Sequence, residues 1–269
     1  MDKMIKFKEK FKVLFDKIKI VLAGSIYPDN CRCIVCDKEI IKGSKYTMCE
    51  ECYKTFPFNN GQICVRCGCP LDNEACYCLE CQNYTKNFDF ARSSLKYEGE
   101  AQRLILNMKF RNNRWLAKYF AEMLFDTYME NNLDAEVIVP IPISYEREKS
   151  RGYNQSFLLA KSLAEKLNLP LVTDAVIKVK DNKQQAVLSL KERRENVIGA
   201  YELRNRKAVK GKKVLLVDDI LTTGSTMSEV SRRLKIAGAI AVYGLVVASP
   251  KYILPTESSE DYNDFEIVD

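Results

Sequence analysis

Four cysteine pairs of identical spacing dominate the first third of the chain. The pairs are Cys33/Cys36, Cys49/Cys52, Cys64/Cys67 and Cys78/Cys81, and each encloses two residues. A C-x2-C turn places two sulfur atoms on one side of a tetrahedral metal ion, so two turns complete a four-thiolate site. Twelve residues separate the first pair from the second, and ten separate the third from the fourth. This spacing predicts two structural Zn²⁺ ions.

The spacing leaves open how the pairs combine. Sequential pairing gives two zinc ribbons, whereas a cross-braced arrangement joins the first pair with the third and the second with the fourth. Cys31, Cys69 and Cys76 each lie two residues from a predicted ligand, so they are free thiols or alternative ligands. Four thiolates leave no open coordination position, which argues against catalytic zinc.

Cysteine usage and the chain's hydropathy pattern predict a cytoplasmic protein. All eleven cysteines lie between Cys31 and Cys81, and a reducing compartment keeps such thiols available for metal. The lysine-rich N-terminal residues lack the apolar core of a signal peptide, and no apolar run has the length of a membrane span. The chain has no histidine, and its formal net charge of +6 permits nucleic-acid binding without establishing it.

Changes of pattern divide the chain into four predicted parts. Residues 1–30 form a basic amphipathic helix, residues 31–82 the zinc-ribbon module, residues 83–250 a larger domain and residues 251–269 an acidic disordered tail. The first helix packs on its own protein or binds a membrane surface or partner. Within residues 83–250, strand-like and helical segments alternate. This alternation predicts an α/β fold with a mostly parallel sheet covered by helices.

The segment VLLVDDILTTGST, residues 214–226, combines a buried strand with a polar loop. Asp218 and Asp219 end the strand, and the loop residues are Thr222, Thr223, Gly224, Ser225 and Thr226. Amides at the following helix N-terminus favour an anion, and two carboxylates suit ribose hydroxyls or hydrated Mg²⁺. The lysine of the ATP-type P-loop is absent. The segment therefore predicts a sugar 5-phosphate site, and the alternative is a metal-binding carboxylate pair with threonines that cap the helix.

Two further segments carry candidate contacts. Arg151, Asn154 and Gln155 follow a strand at the edge where open α/β sheets bind ligands. They contact pyrophosphate or an acceptor, or Asn154 simply caps a helix. The segment KFRNNRWLAK sets cations beside aromatic rings, a combination that binds single-stranded DNA. Its candidate DNA contacts are Lys109, Arg111, Arg114 and Trp115. The alternative is an amphipathic helix with aromatic rings in the core.

The motifs together resemble a known family. Residues 214–226 are similar to the 5-phosphoribosyl 1-pyrophosphate (PRPP) signature of type I phosphoribosyltransferases. Roughly residues 25–250 resemble the ComF (ComFC) family of competence proteins. The resemblance rests on the cysteine pairs and on the motifs CGCPL, NFDFARSSLKYEG, MKFRNNRWLA, IVPIPIS, RGYNQS and GKKVLLVDDILTTGST. That family pairs a zinc module with a phosphoribosyltransferase-like domain and is implicated in uptake of transforming DNA. Asp37 departs from the pattern, because a glycine often follows the first cysteine knuckle.

The resemblance implies specific roles and partners. Asp218 and Asp219 would hold the ribose hydroxyls of PRPP, bound together with Mg²⁺, and the loop of residues 222–226 would hold its 5-phosphate. Residues 180–196 would form a flexible loop over the site. The implied partners are single-stranded DNA and other competence-machinery proteins at the inner membrane face.

Three functions are compatible with the sequence. The first is a competence factor with a PRPP-like site, the second is an active phosphoribosyltransferase with an unknown acceptor, and the third is a scaffold built on zinc ribbons. The complete polar loop favours ligand binding over the scaffold. No acceptor pocket or general base is readable, so the sequence does not decide between the first two.

Overall fold

The computed structural model describes residues 32–40, 45–72, 74–180 and 197–251. Several predictions concern segments outside these residues: the helix of residues 1–30, Cys31, the loop at 181–196 and the tail from 252 onward. The chain divides into two compact units, Met1–Thr55 and Phe56–Asp269.

The first unit contains the first two cysteine pairs. Its described residues include a 3₁₀ turn, Lys45–Thr47, and helix α1, Glu50–Thr55. The amide of Asp37 donates to the Cys33 carbonyl at 2.9 Å, which closes a tight turn around the first pair. Asp37 has φ 60°, a left-handed conformation that glycine adopts freely and aspartate tolerates better than most residues. The aspartate in place of glycine is therefore compatible with this knuckle.

The second unit is built on a parallel sheet. The strands are β1 (Phe90–Lys96), β2 (Val137–Pro140), β3 (Val176–Lys178), β4 (Tyr201–Leu203), β5 (Lys213–Ile220) and β6 (Ala241–Ser249). In the described part of the chain, four of them form a sheet in the order β1-β6-β5-β2 with parallel neighbours. Strands β3 and β4 form a separate antiparallel pair. The predicted α/β class with a mostly parallel sheet is confirmed.

Helices connect and cover these strands. They are α2 (Leu79–Asn83), α3 (Gly99–Phe110), α4 (Leu116–Glu130), α5 (Tyr145–Arg151), α6 (Gln155–Leu167) and α7 (Ser225–Ile236). The chain breaks between α3 and α4, where Asn112 has φ 57°. Asn168, with φ 53°, ends α6 two residues before Pro170.

The core lies along the central strands. Residues 214–217 of β5 are fully buried, and so are residues 245–248 of β6. Because successive side chains of a strand point to opposite faces, this burial shows that both faces of the sheet are covered. Parallel strands also place their carboxyl ends at one edge, where the loops after β2 and β5 meet. Among the described residues, no helix has both the length and the apolar character needed to cross a membrane.

Candidate functional site

A cleft of about 470 Å³ opens at the carboxyl ends of β2 and β5. Open α/β sheets bind ligands at this edge. The two aspartates and the complete polar loop line the cleft together with several cations. The lining includes Asp218, Asp219, Thr222, Thr223, Gly224, Ser225, Thr226, Lys109, Arg147, Arg151, Lys178 and Tyr201. The structure therefore brings together all seven residues predicted to hold the sugar phosphate.

Asp218 is held in place by two hydrogen bonds. Its Oδ1 accepts from the Ser156 hydroxyl at 2.6 Å and from the Asp219 amide at 2.9 Å. Burial, followed by the neighbouring charge of Asp219, raises the pKa of the Asp218 carboxyl to about 7. Asp218 therefore changes charge near neutral pH, although an ordinary aspartate is ionised there.

Asp219 faces a lysine. It is only 4% exposed, and its Oδ2 lies 3.2 Å from Lys109 Nζ at the end of α3. This oxygen accepts no hydrogen bond from the described residues. The oxygen thus has an ion-pair partner but no hydrogen bond, and it fits a ligand hydroxyl, because buried polar atoms normally make hydrogen bonds. Lys109, a predicted DNA contact, also lies in the cleft.

The loop after β5 turns sharply into α7. Gly224 has φ 70°, a conformation that glycine adopts without strain, and α7 starts at the next residue. The Thr223 and Ser225 hydroxyl oxygens are 2.7 Å apart, and Lys86 Nζ donates to the Thr223 carbonyl at 2.8 Å. The loop thus presents hydroxyls and the N-terminus of a helix to the cleft, which suits a phosphate monoester.

In the segment after β2, some side chains line the cleft and one caps a helix. Asn154 accepts hydrogen bonds from the amides of Ser156 at 2.9 Å and Phe157 at 3.4 Å, so it caps α6. Arg151 Nη1 donates to Gln155 Oε1 at 2.6 Å, and both side chains line the cleft. The capping alternative therefore holds for Asn154, whereas Arg151 and Gln155 face the site.

Several residues that line the cleft or support its lining were not predicted from the sequence. Ser156 orients Asp218, and its position in the RGYNQS motif was the available signal. Lys178 and Tyr201 reach the cleft from the β3–β4 pair, and both strands look like ordinary strands in the sequence. Burial is the largest influence on Tyr201, and it raises the pKa of its hydroxyl well above the usual range. Tyr201 therefore stays neutral at physiological pH.

The remaining candidate DNA contacts lie on the turn between α3 and α4. Arg111 and Arg114 are exposed, and Trp115 is 50% exposed. The Arg114 guanidinium lies 4.4 Å from the Tyr153 ring centroid. The rings of Trp115 and Tyr119 make an edge-to-face contact, with 5.8 Å between their centroids. Trp115 is therefore not a core residue, and its ring is accessible to a stacking partner.

The cysteine pairs combine in sequential order. Cys33, Cys36, Cys49 and Cys52 form one group, and Cys64, Cys67, Cys78 and Cys81 form another, each with sulfur atoms within 4.8 Å of one another. Four convergent sulfurs are the donor set of a structural zinc site, so both groups fit a metal ion. Of the cysteines outside these groups, Cys69 is buried and Cys76 is exposed. We refer to the two groups as the first and second tetrads.

Metal analysis of the purified protein is expected to give about two ions per chain, because each tetrad supplies a complete tetrahedral ligand set. Elemental analysis by plasma mass spectrometry measures the ratio. Cys36→Ser is expected to lower it by about one without affecting the second tetrad. A wild-type ratio near one would contradict the two-site geometry.

Asp218→Asn is expected to stabilise the protein relative to wild type at high pH. The pKa of Asp218 is about 7 in the folded state and about 3.9 when unfolded. Between those values the native state keeps a proton that the unfolded state releases, so wild-type stability falls as pH rises through this window. The asparagine variant lacks this titration. Melting temperatures at pH 5 and pH 8 measure the effect, and an equal pH response of both proteins would contradict it.

Comparison with known proteins agrees with this geometry. The profile of the phosphoribosyl transferase domain matches residues 153–261, which contain the aspartate pair and the polar loop. The chain is 33% identical over 229 residues to competence protein F of Haemophilus influenzae, with 81% of this chain and 98% of the relative covered.

Two further relatives match most of the chain. Competence protein ComFC of Bacillus subtilis is 27% identical, over 78% of this chain and 90% of its own length. DNA utilization protein YhgH of Escherichia coli is 28% identical, over 67% of this chain and 81% of its own length. The fold is a phosphoribosyltransferase-like α/β domain, and the identity and coverage of the first relative show that the chain belongs to the ComF family of competence proteins.

Proposed function

We propose that this protein is a cytoplasmic competence factor that binds PRPP or a related sugar phosphate and handles single-stranded transforming DNA. The observation that supports this proposal most strongly is that the Asp218–Asp219 pair and the polar loop line the same cleft. The relatives named for competence and for DNA utilization support the cellular role. Other competence-machinery proteins at the inner membrane face are its proposed partners.

The cleft suits each part of PRPP. The two carboxylates accept the vicinal ribose hydroxyls, and the loop before α7 donates to the 5-phosphate. Arg147 and Arg151 line the same cleft and offer positive charge to the pyrophosphate. Mg²⁺ would accompany the pyrophosphate, because its oxygens are the hard ligands that this ion prefers.

Binding of the sugar phosphate is tested by isothermal titration with PRPP and Mg²⁺, and separately with ribose 5-phosphate. We expect one PRPP per chain and weaker binding of ribose 5-phosphate, which lacks the pyrophosphate. If neither compound binds at high micromolar concentration, the sugar-phosphate assignment is wrong.

An active phosphoribosyltransferase is the second candidate. The observation that favours it is the charge of the cleft, where Lys109, Arg147 and Arg151 can offset the charge of a departing pyrophosphate. Release of pyrophosphate from PRPP, measured with and without single-stranded DNA as acceptor, distinguishes a transferase from a protein that only binds the ligand.

The two tetrads are proposed to hold structural zinc. Closed four-thiolate sites stabilise short segments that have too little apolar core to fold alone. The metal therefore supports the fold and takes no part in a reaction.

For DNA we expect binding that weakens steeply with salt and prefers single strands. Arg111→Ala combined with Arg114→Ala should reduce the salt slope, because fewer counterions are released from phosphates. Trp115→Ala should weaken binding by about 1–3 kcal/mol without changing that slope, since stacking is sequence-tolerant and uncharged. Fluorescence anisotropy of a labelled strand at several salt concentrations measures both effects.

The matched control for the arginines is Lys207→Ala with Lys210→Ala, two exposed cations that precede β5 at the opposite end of the sheet. It removes the same charge and should leave affinity nearly unchanged. A melting curve of the Trp115→Ala variant tests whether its weaker DNA binding arises from loss of the fold, and we expect a melting temperature close to that of wild type. Wild-type affinity and slope in the double arginine variant would exclude this turn as the DNA site.

A further inference from the structure

A buried ion pair lies between the second tetrad and the polar loop. Lys86 Nζ is 2.8 Å from Glu80 Oε1, and the two side chains are only 3% and 6% exposed. Removing two charges from water is costly, and such a pair is maintained only where its geometry is good and further hydrogen bonds satisfy it. The Glu80–Lys86 pair belongs neither to the aspartate pair of the cleft nor to the thiolate ligands, so its role is inferred from its other contacts.

Lys86 makes its second contact with the polar loop. Its ammonium group donates to the Thr223 carbonyl at 2.8 Å, one residue before Gly224. The neighbouring residues continue this support. The Asn87 amide donates to Ser228 Oγ at 3.0 Å in the first turn of α7, and a Cβ built on Gly224 would lie 3.5 Å from the Phe88 ring. Residues 86–88 therefore form the floor beneath the loop, and we call them the floor segment.

Both knuckles of the second tetrad hold the floor segment. Glu80 lies in α2 between the ligands Cys78 and Cys81, where the Cys81 amide donates to the Cys78 carbonyl at 3.0 Å. Arg66 lies between Cys64 and Cys67, and its Nη1 donates to the Phe88 carbonyl at 3.2 Å. Each C-x2-C turn thus supplies one charged side chain that reaches residues 86–88.

We propose that Lys86 is a positioning residue of the polar loop, and that the Glu80–Lys86 pair makes the loop's affinity for a phosphate monoester depend on metal occupancy of the second tetrad. This inference rests on the proposed sugar-phosphate binding. Helix α2 has five residues, too few to be stable by themselves. Metal bound by Cys78 and Cys81 fixes this turn, the turn fixes Glu80, and Glu80 holds Lys86 against the Thr223 carbonyl.

The coupling is tested first on the wild-type protein. Coupling between the binding free energies of two sites is reciprocal, so saturating ribose 5-phosphate should raise the metal affinity of the second tetrad. Metal release to a chromogenic chelator is measured at equilibrium, over a range of chelator concentrations, with and without the sugar phosphate. We expect the sugar phosphate to raise several-fold the chelator concentration needed to remove one of the two ions, with the other unchanged. The Cys36→Ser variant, which lacks the first site, shows which ion is retained.

Charge-neutral variants test the proposed route. Glu80→Gln combined with Lys86→Met removes both charges and leaves no unpaired buried ion. We expect it to retain two metal ions, to bind ribose 5-phosphate about tenfold more weakly, which is the effect of one hydrogen bond to a charged group, and to lose the protection against metal release. The control is Glu136→Gln with Lys212→Met. The two groups of this exposed pair are 3.3 Å apart. Glu136 directly precedes β2 and Lys212 directly precedes β5, at the opposite end of the sheet, and removal of the pair should change neither measurement.

The outcomes separate this inference from the proposed function. Absence of ribose 5-phosphate and PRPP binding by wild type would overturn both. Normal wild-type binding with equal metal release in the presence and absence of ligand would overturn the coupling and leave the sugar-phosphate site intact. Should the double variant fail to fold, the wild-type release measurement still decides the question, because it requires no substitution.

Discussion

Replacement of Asp218 and Asp219 by asparagine together is expected to weaken PRPP binding by roughly a hundredfold or more, while both metal ions remain bound. Each carboxylate can accept a ribose hydroxyl, and a hydrogen bond to a charged group contributes about 1.5–3 kcal/mol. Asparagine keeps the size of each side chain and leaves the Ser156 hydroxyl an acceptor. The loss therefore reports the charge of the pair and not a cavity.

Isothermal titration of PRPP with Mg²⁺ measures this effect, and metal analysis verifies the tetrads. The matched control is Asp134→Asn, which removes an exposed carboxylate paired with Lys213 at the start of β5. It should bind PRPP as wild type does. Unchanged PRPP affinity in the double asparagine variant would remove the ribose assignment from these residues.

Gly68→Ala is expected to destabilise the second unit by about 2–5 kcal/mol and to lower its metal content. Gly68 has φ 72°, and an added Cβ would lie 2.6 Å from the Ala91 carbonyl oxygen and 2.8 Å from Arg92 Cα. The left-handed conformation costs alanine roughly 1–2 kcal/mol, and overpacking against backbone adds about 1–3 kcal/mol. The Gly68 amide also donates to the Cys64 carbonyl at 2.8 Å, so movement of this turn would displace a ligand.

Thermal melting and metal analysis test this prediction together. Gly61→Ala serves as the control, because a Cβ there meets no atom within 4 Å. It should melt near the wild-type temperature and keep both ions. A Gly68→Ala protein with wild-type melting and two metals would show that strand β1 yields to the extra methyl group.

Local patterns were sufficient for the alternation of strands and helices and for the grouping of site residues within residues 214–226. An apolar run followed by two acids and a polar turn places its side chains at a strand end, whatever the rest of the chain does. The cysteine spacing was equally local, since each C-x2-C turn closes within five residues. The resemblance to the PRPP signature of type I phosphoribosyltransferases supplied PRPP as the predicted ligand, whereas residue chemistry alone had narrowed the ligand to a sugar phosphate.

Contacts between distant segments were beyond local patterns. Ser156 and Asp218 are 62 residues apart in sequence, and Lys86 and Thr223 are 137 apart. Lys109 looked in the sequence like one cation of a basic and aromatic stretch, and the structure places it in the last turn of α3 beside Asp219. Such contacts between distant residues depend on the order of strands in the sheet, and that order is set by the packing of the whole domain.

The order of strands also constrains the protein's synthesis. Strand β1 pairs with β6, so Phe90 meets Tyr243 about 150 residues later in the chain. At bacterial translation speeds of roughly 5–20 residues per second, the partner strand is complete about 8–30 s after β1 is made. The ligands of the second tetrad all precede β1 in the sequence, so this metal site can form before translation of the chain is complete. During that interval β1 is without its partner strand, and the residues that it later buries, Ala91 and Leu95, remain exposed, together with an unpaired strand edge of the kind that makes incomplete chains prone to aggregate.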